Sequence, residues 1–154
     1  MSNISSDQIK ELRNKTSLSV MQCKRALEES DGDMEKALAH LMAQGASIAE
    51  KKSGRSLGAG VVSAYVHSTK NVGALLELNC ETDFVAKNDE FGALGYEIAM
   101  HVVAMKPADV IELLAQPFIK DPSKTISDLV TGAVQKFGEN TAIRRFTVFA
   151  VKDQ

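Results

Sequence analysis

Few side chains in this sequence are reactive: Cys23, Cys80, His40, His67 and His101 stand out. The arrangement nearest to an enzyme is Cys80 as nucleophile with His67 as its base, because a thiol is activated by an adjacent imidazole. Both fall in a predicted hairpin, residues 61–67 and 72–80, joined by 68–71. A tight turn there pairs Val62 with Leu78, Ala64 with Leu76 and Val66 with Ala74, and sets His67 opposite Gly73. His67 is then seven residues along the strand from Cys80, roughly 23 Å at about 3.3 Å per residue and far outside hydrogen-bond reach. Neither cysteine sits in a CxxC or Cys/His metal spacing. His101 lies on the flank of its helix stripe and reads as a half-buried helix histidine; His40 reads as a surface residue. There is no Gly-rich phosphate loop, no His/Glu metal pair and no pair of carboxylates on a credible pocket wall. No enzyme and no cofactor are expected, and what remains is binding.

The stretch best suited to binding is residues 79–91, where a buried strand passes into a helix. Such junctions present side chains outward on a rigid support. On composition alone, Phe84 within it reads as a core residue of the strand–helix corner.

The bulk numbers agree with a binding protein. The 154 residues carry a net charge of −2, with 44% hydrophobic and 25% charged residues. A nucleic-acid binder needs a basic excess or patch to neutralise phosphates, so no direct nucleic-acid contact is expected. The small cluster Lys51, Lys52 and Arg55 reads as a solvated linker. The stretch from Met1 to Asp7 has no basic and apolar leader pattern, and no apolar run reaches the roughly 20 residues that span a bilayer. A cytoplasmic protein with reduced cysteines and no membrane contact is expected.

The elements follow from periodicity. A first helix covers roughly residues 6–15. Ser19-Val-Met-Gln22 fits a capping box that opens a second helix to about Ser30. Asp33 caps a third, with Met34, Ala37, Leu38, Leu41 and Met42 as an amphipathic stripe and Gly45 as its C′ residue. Residues 53–60 are Gly/Ser-rich and read as a linker between residues 1–52 and 61–154. After the hairpin, Asn88 caps a helix to about Met105 with Phe91, Leu94, Ile98, Val102 and Met105 on one face. Residues 109–114 add a helical turn, 116–122 form a loop, and Thr125-Ile-Ser-Asp128 opens a last helix closed by Gly138. A strand over about 142–151 completes the order ββααβ. The fold class is α+β: a three-helix bundle, then a three-stranded antiparallel sheet with helices on one face.

Leu78-Asn-Cys-Glu-Thr-Asp-Phe-Val-Ala-Lys-Asn-Asp-Glu-Phe91 resembles the signature of the elongation factor Ts family. Lys10-Glu-Leu-Arg13, Met21-Gln-Cys-Lys-Arg-Ala-Leu-Glu28, Gly32-Asp-Met-Glu-Lys-Ala37, Ala99-Met-His-Val102 with Lys106-Pro107, Gln116-Pro-Phe118, and Gly138-Glu-Asn140 with Ile143-Arg-Arg-Phe146 resemble it too, in family order. The resemblance implies a ubiquitin-associated-like helical domain that docks on the nucleotide domain of the GTPase elongation factor Tu. It implies a core module in which Thr82, Asp83, Phe84 and Val85 disturb the GTPase's Mg²⁺ site and release GDP. It places partner contacts at Arg13, Val20, Met21, Lys24 and His101. Two departures stand out. Ser17-Leu-Ser-Val20 replaces a Gly-Ala-Gly-Met run, and only residues 108–115 separate Pro107 from Gln116, where the family has a long insertion or a second core copy. A single core implies a homodimer, and leaves a second reading open: a module that holds a GTPase without moving its nucleotide.

Overall fold

A computed structural model describes residues 3–152; Met1 and Ser2 of the N-terminal stretch considered above lie outside the described residues. Helix α1 spans Ser6–Thr16, opened by a capping box between Ser5 and Gln8. Helix α2 spans Val20–Glu29, and Ser19 and Gln22 form the predicted box, each satisfying an N–H the helix leaves free. Helix α3 spans Met34–Lys52 with Asp33 as its cap. Leu12, Leu18, Cys23, Ala26, Leu27, Ala37 and Leu41 close a small core between these helices.

Strands β1 (Ala59–Val66) and β2 (Val72–Cys80) follow as a hairpin. Then come α4 (Asp83–Ala86), α5 (Asp89–Met105) and α6 (Val110–Ala115). Strands β3 (Pro117–Phe118) and β4 (Asp121–Thr125), helix α7 (Ile126–Phe137) and strand β5 (Ala142–Ala150) complete the chain. The main sheet is antiparallel in the order β1-β2-β5. One face packs on helices, and the second core lies there: Leu76, Leu78 and Cys80 of β2 against Phe91, Ile98 and Val102 of α5, with Leu113, Ile126 and Ile143. Among the described residues no helix is long and apolar enough to cross a membrane.

The expected α+β order holds, with four corrections. The hairpin register is one residue away from the expected one: Val61 faces Leu78, Ser63 faces Leu76, Tyr65 faces Ala74 and Val66 faces Gly73. The connection sets this register. His67 N–H bonds the Val72 carbonyl at 2.9 Å, and Lys70 turns the chain at φ 62°. Packing agrees with it, because α5 crosses β1 where a Cβ on Gly95 would collide with the Ser63 hydroxyl, so a small residue must face inward. A one-residue shift exchanges the faces of a strand, and Val62, Ala64 and Val66 therefore point to solvent.

Helix α3 does not stop at Gly45 but runs to Lys52. Gly45 is buried against α7, where a Cβ would come within 2.6 Å of Gln135 Oε1, so this glycine serves close helix packing and not a cap. Residues 116–122 are not a plain loop: β3 and β4 pair there, and the Ile126 N–H reaches the Gln116 carbonyl at 3.1 Å. Finally, the short helix α4 was not expected.

Candidate partner-binding site

Strand β2 ends at Cys80, whose thiol donates to the Thr82 carbonyl at 3.3 Å. Thr82 is the N-cap of α4, its hydroxyl accepting from Val85 N–H at 3.4 Å. Within this corner Val85 is buried, whereas Asp83 is exposed and Phe84 is 86% exposed. Phe84 is thus not a core residue, as composition alone suggests; Phe91, seven residues on, takes that place at 0% exposure.

Two carboxylates hold the corner. Glu139 Oε1 accepts from the N–H groups of Glu81 and Thr82 at 3.1 and 3.0 Å, and Oε2 accepts from the Thr82 hydroxyl at 2.6 Å. In return Glu81 Oε2 accepts from Asn140 N–H at 2.6 Å and lies 3.7 Å from Arg55. Residues 81–82 and 139–140 are therefore stapled in both directions. Neither Glu81 nor Glu139 has an expected role from sequence; their only signal is position, one acid inside each of two family-like motifs.

Cys80 and His67 do not form a nucleophile and base pair. Burial, with the Glu139 charge nearby, pushes the Cys80 thiol above its ordinary pKa, the opposite of what a nucleophile needs. His67 pairs with Val72 at the far end of the hairpin, whereas Cys80 pairs with Ala59.

A second group of expected contacts lies on the helical bundle. Met21 is 75% exposed, and Val20 and Lys24 are exposed on the same helix. Lys24 and Glu28 form a loose ion pair at 3.9 Å, too exposed to fix the lysine in place. Arg13 is exposed in the last turn of α1. That helix ends on Ser17 at φ 58°, a left-handed conformation that glycine would adopt without strain. Serine therefore holds this turn without a glycine.

His101 joins neither group. It is fully buried, and the expected partner contact is corrected for that reason. Its Nδ1 accepts from Ile119 N–H at 3.2 Å, which leaves Nε2 to donate to Gln116 Oε1 at 2.9 Å. Both nitrogens are occupied in a neutral ring, and burial lowers its pKa. His101 holds the 116–119 segment against α5, with the Phe118 ring 5.9 Å away.

One further surface escaped the sequence reading because of the register error. The outer face of the sheet exposes Val62, Val66, Leu75 and Phe149. Val66, Gly73 and Phe149 form one row across three strands. At the other end of this face Glu77 accepts from Arg145 at 2.9 Å, which holds its carboxyl below the ordinary value.

Comparison with known proteins matches the sequence to a family. The family model described as elongation factor TS matches residues 81–154, a span that opens at the stapled corner. A protein named elongation factor Ts from Leptospira biflexa serovar Patoc is 42% identical over 193 residues, covering 96% of this chain and 98% of the relative. Proteins of the same name from Carboxydothermus hydrogenoformans and Trichlorobacter lovleyi are 41% and 48% identical, covering 95% and 96% of this chain and 88% and 47% of their own lengths. The 193-residue span exceeds the 154 residues of this chain, so the Leptospira relative carries a segment with no counterpart here. With identity of this order over nearly its whole length, the chain belongs to the elongation factor Ts family.

Proposed function

We propose that this chain is a guanine nucleotide exchange factor in translation elongation, binding elongation factor Tu·GDP in the cytoplasm and releasing GDP without covalent chemistry. The observation that carries this reading is Phe84, an aromatic ring 86% exposed on a corner fixed by Glu81 and Glu139. A phenylalanine held outward on a rigid turn is a pre-positioned aromatic anchor of the kind that a pocket on a partner accepts. Mg²⁺ needs near-ideal octahedral geometry between protein and phosphate oxygens. A ring that enters beside that site, with Asp83 next to it, displaces the supporting helix and loosens the nucleotide. By linkage, bound nucleotide weakens the factor by the same free energy.

In this reading residues 1–52 are a ubiquitin-associated-like docking domain, 53–60 its linker and 61–154 the exchange module. Arg13, Val20, Met21 and Lys24 make contact; Met21 and Lys24 lie three residues apart and face one side of α2. The homodimer forms through the bare outer face of the sheet, where Val66 and Phe149 flank Gly73 in a patch that a second copy can cover by two-fold symmetry. Timing the release of a fluorescent GDP from loaded elongation factor Tu tests the proposal. Release should accelerate in proportion to the factor added. A stable complex with unaccelerated release would instead support the scaffold reading.

A further inference from the structure

We infer that Glu139 is a positioning residue for Phe84, locking the exchange corner to the end of the helical bundle; the inference rests on the reading of Phe84 given above. The corner meets the core through Val85, with Ala86 packed beside it. Helix α4 is a single turn, Asp83–Ala86, too short to persist in water unaided. Val85 is its one buried residue.

Its polar anchorage on the side facing the bundle comes from the turn after α7. The Glu139 carboxylate accepts three hydrogen bonds from residues 81 and 82, at 3.1, 3.0 and 2.6 Å. Bonds to an ionised acceptor are roughly twice as strong as neutral ones. The Thr82 hydroxyl has a single proton. Donating it to Glu139 turns the oxygen lone pairs toward Val85 N–H, which is the capping bond of α4. Removing the carboxylate therefore frees the hydroxyl to rotate and loosens the turn that carries Phe84.

The same turn reaches the bundle on its other side. Asn140 Nδ2 donates to the carbonyls of Ser53 and Arg55 at 3.3 and 2.9 Å, and Lys52 Nζ donates to the Gly138 carbonyl at 2.5 Å. The 53–55 segment, read as linker from sequence, is thus held in place. Residues 138–140 join the end of α3 to the start of α4. A factor that docks through its bundle then delivers Phe84 at a set position, and a misplacement of about 1 Å costs up to about a hundred-fold in a process that depends on geometry. Glu139 itself lies outside the apolar core built on Leu76, Leu78, Phe91 and Ile98, so its loss leaves that packing intact.

The test is a double-mutant cycle on GDP release at saturating factor, with Glu139→Ala, Phe84→Ala and the double variant. Glu139→Ala should slow release about ten-fold while binding of loaded elongation factor Tu changes less than about three-fold. The double variant should be no slower than Phe84→Ala, because Glu139 acts through that ring. Glu139→Gln, which keeps the shape and one acceptor oxygen, should fall between wild type and Glu139→Ala; it carries the cycle if the alanine variant does not fold. Equal slowing by the Glu139 change in both backgrounds would overturn the inference, as would wild-type release from either Glu139 variant. If Phe84→Ala alone releases GDP at the wild-type rate, the reading of Phe84 fails and this inference falls with it. If Phe84→Ala is slow and the Glu139 variants are not, this inference fails alone.

Discussion

Phe84 and Phe149 are both exposed phenylalanines, at 86% and 74%, yet they sit in opposite settings. Phe84 stands between exposed polar neighbours, Asp83 and Lys87, on a corner stapled from two sides. Phe149 belongs to a broad apolar face with Val62, Val66 and Leu75, laid across three hydrogen-bonded strands. A lone ring on a fixed turn suits a pocket that accepts one side chain. A flat apolar patch suits an equally flat surface that removes it from water as a whole. In the proposed function the two regions serve different contacts, and they should separate on mutation.

The largest expected effect is on assembly. Light scattering at micromolar concentration should report about twice 16.6 kDa, and Phe149→Asp should return the chain to one copy, since truncating an interface anchor commonly costs about 2 kcal/mol or more and a buried charge adds to that. Phe84→Asp should leave the mass unchanged. A dimer that survives Phe149→Asp and is lost with Phe84→Asp would invert the comparison.

A smaller effect should reach both regions together, through the core they share. Burial lowers the pKa of His101 below the ordinary histidine value of 6.5, so the unfolded chain takes up the proton first as pH falls. Stability is then fully present above that value and declines as pH drops below it. Thermal midpoints followed from about pH 7 down to about pH 5 should fall more steeply for the wild type than for His101→Gln. Parallel slopes would mean that the buried ring does not set the acid limit.

The smallest effect is expected at the bundle. Lys24→Glu should weaken complex formation by no more than about 1 kcal/mol, mainly by slowing association at low salt, because the lysine is exposed. A loss independent of salt would argue that α2 docks by packing and not by charge.

Helix starts were legible in the sequence because capping is local: Ser19 with Gln22, Asn88, and Thr125 with Asp128 all cap as expected. What escaped depended on distant partners. Gly45 carries an ordinary helix-ending signal, and only α7 packing against it keeps α3 running to Lys52. Val62, Ala64 and Val66 alternate with Val61, Ser63 and Tyr65, and either set could line a core until the turn at Lys70 and the crossing of Gly95 choose one. At the site, the Thr82–Val85 segment could be located from its motif. The bonds that hold its first residue could not, because Thr82 is tied to Glu139, 57 residues away in sequence. His101 was misplaced for the same reason: its partners, Gln116 and Ile119, come from a hairpin that the sequence pattern did not signal.

In the proposed function Phe84 acts outside its own chain, and one variant measured two ways tests that most directly. Phe84→Ala should keep a thermal midpoint close to wild type, because the ring is exposed and its removal leaves no cavity. The same variant should release GDP from elongation factor Tu about thirty-fold more slowly, the equivalent of about 2 kcal/mol at a partner pocket. A midpoint lowered as by a core deletion of about 3–5 kcal/mol, or wild-type release from a stable variant, would contradict the central claim.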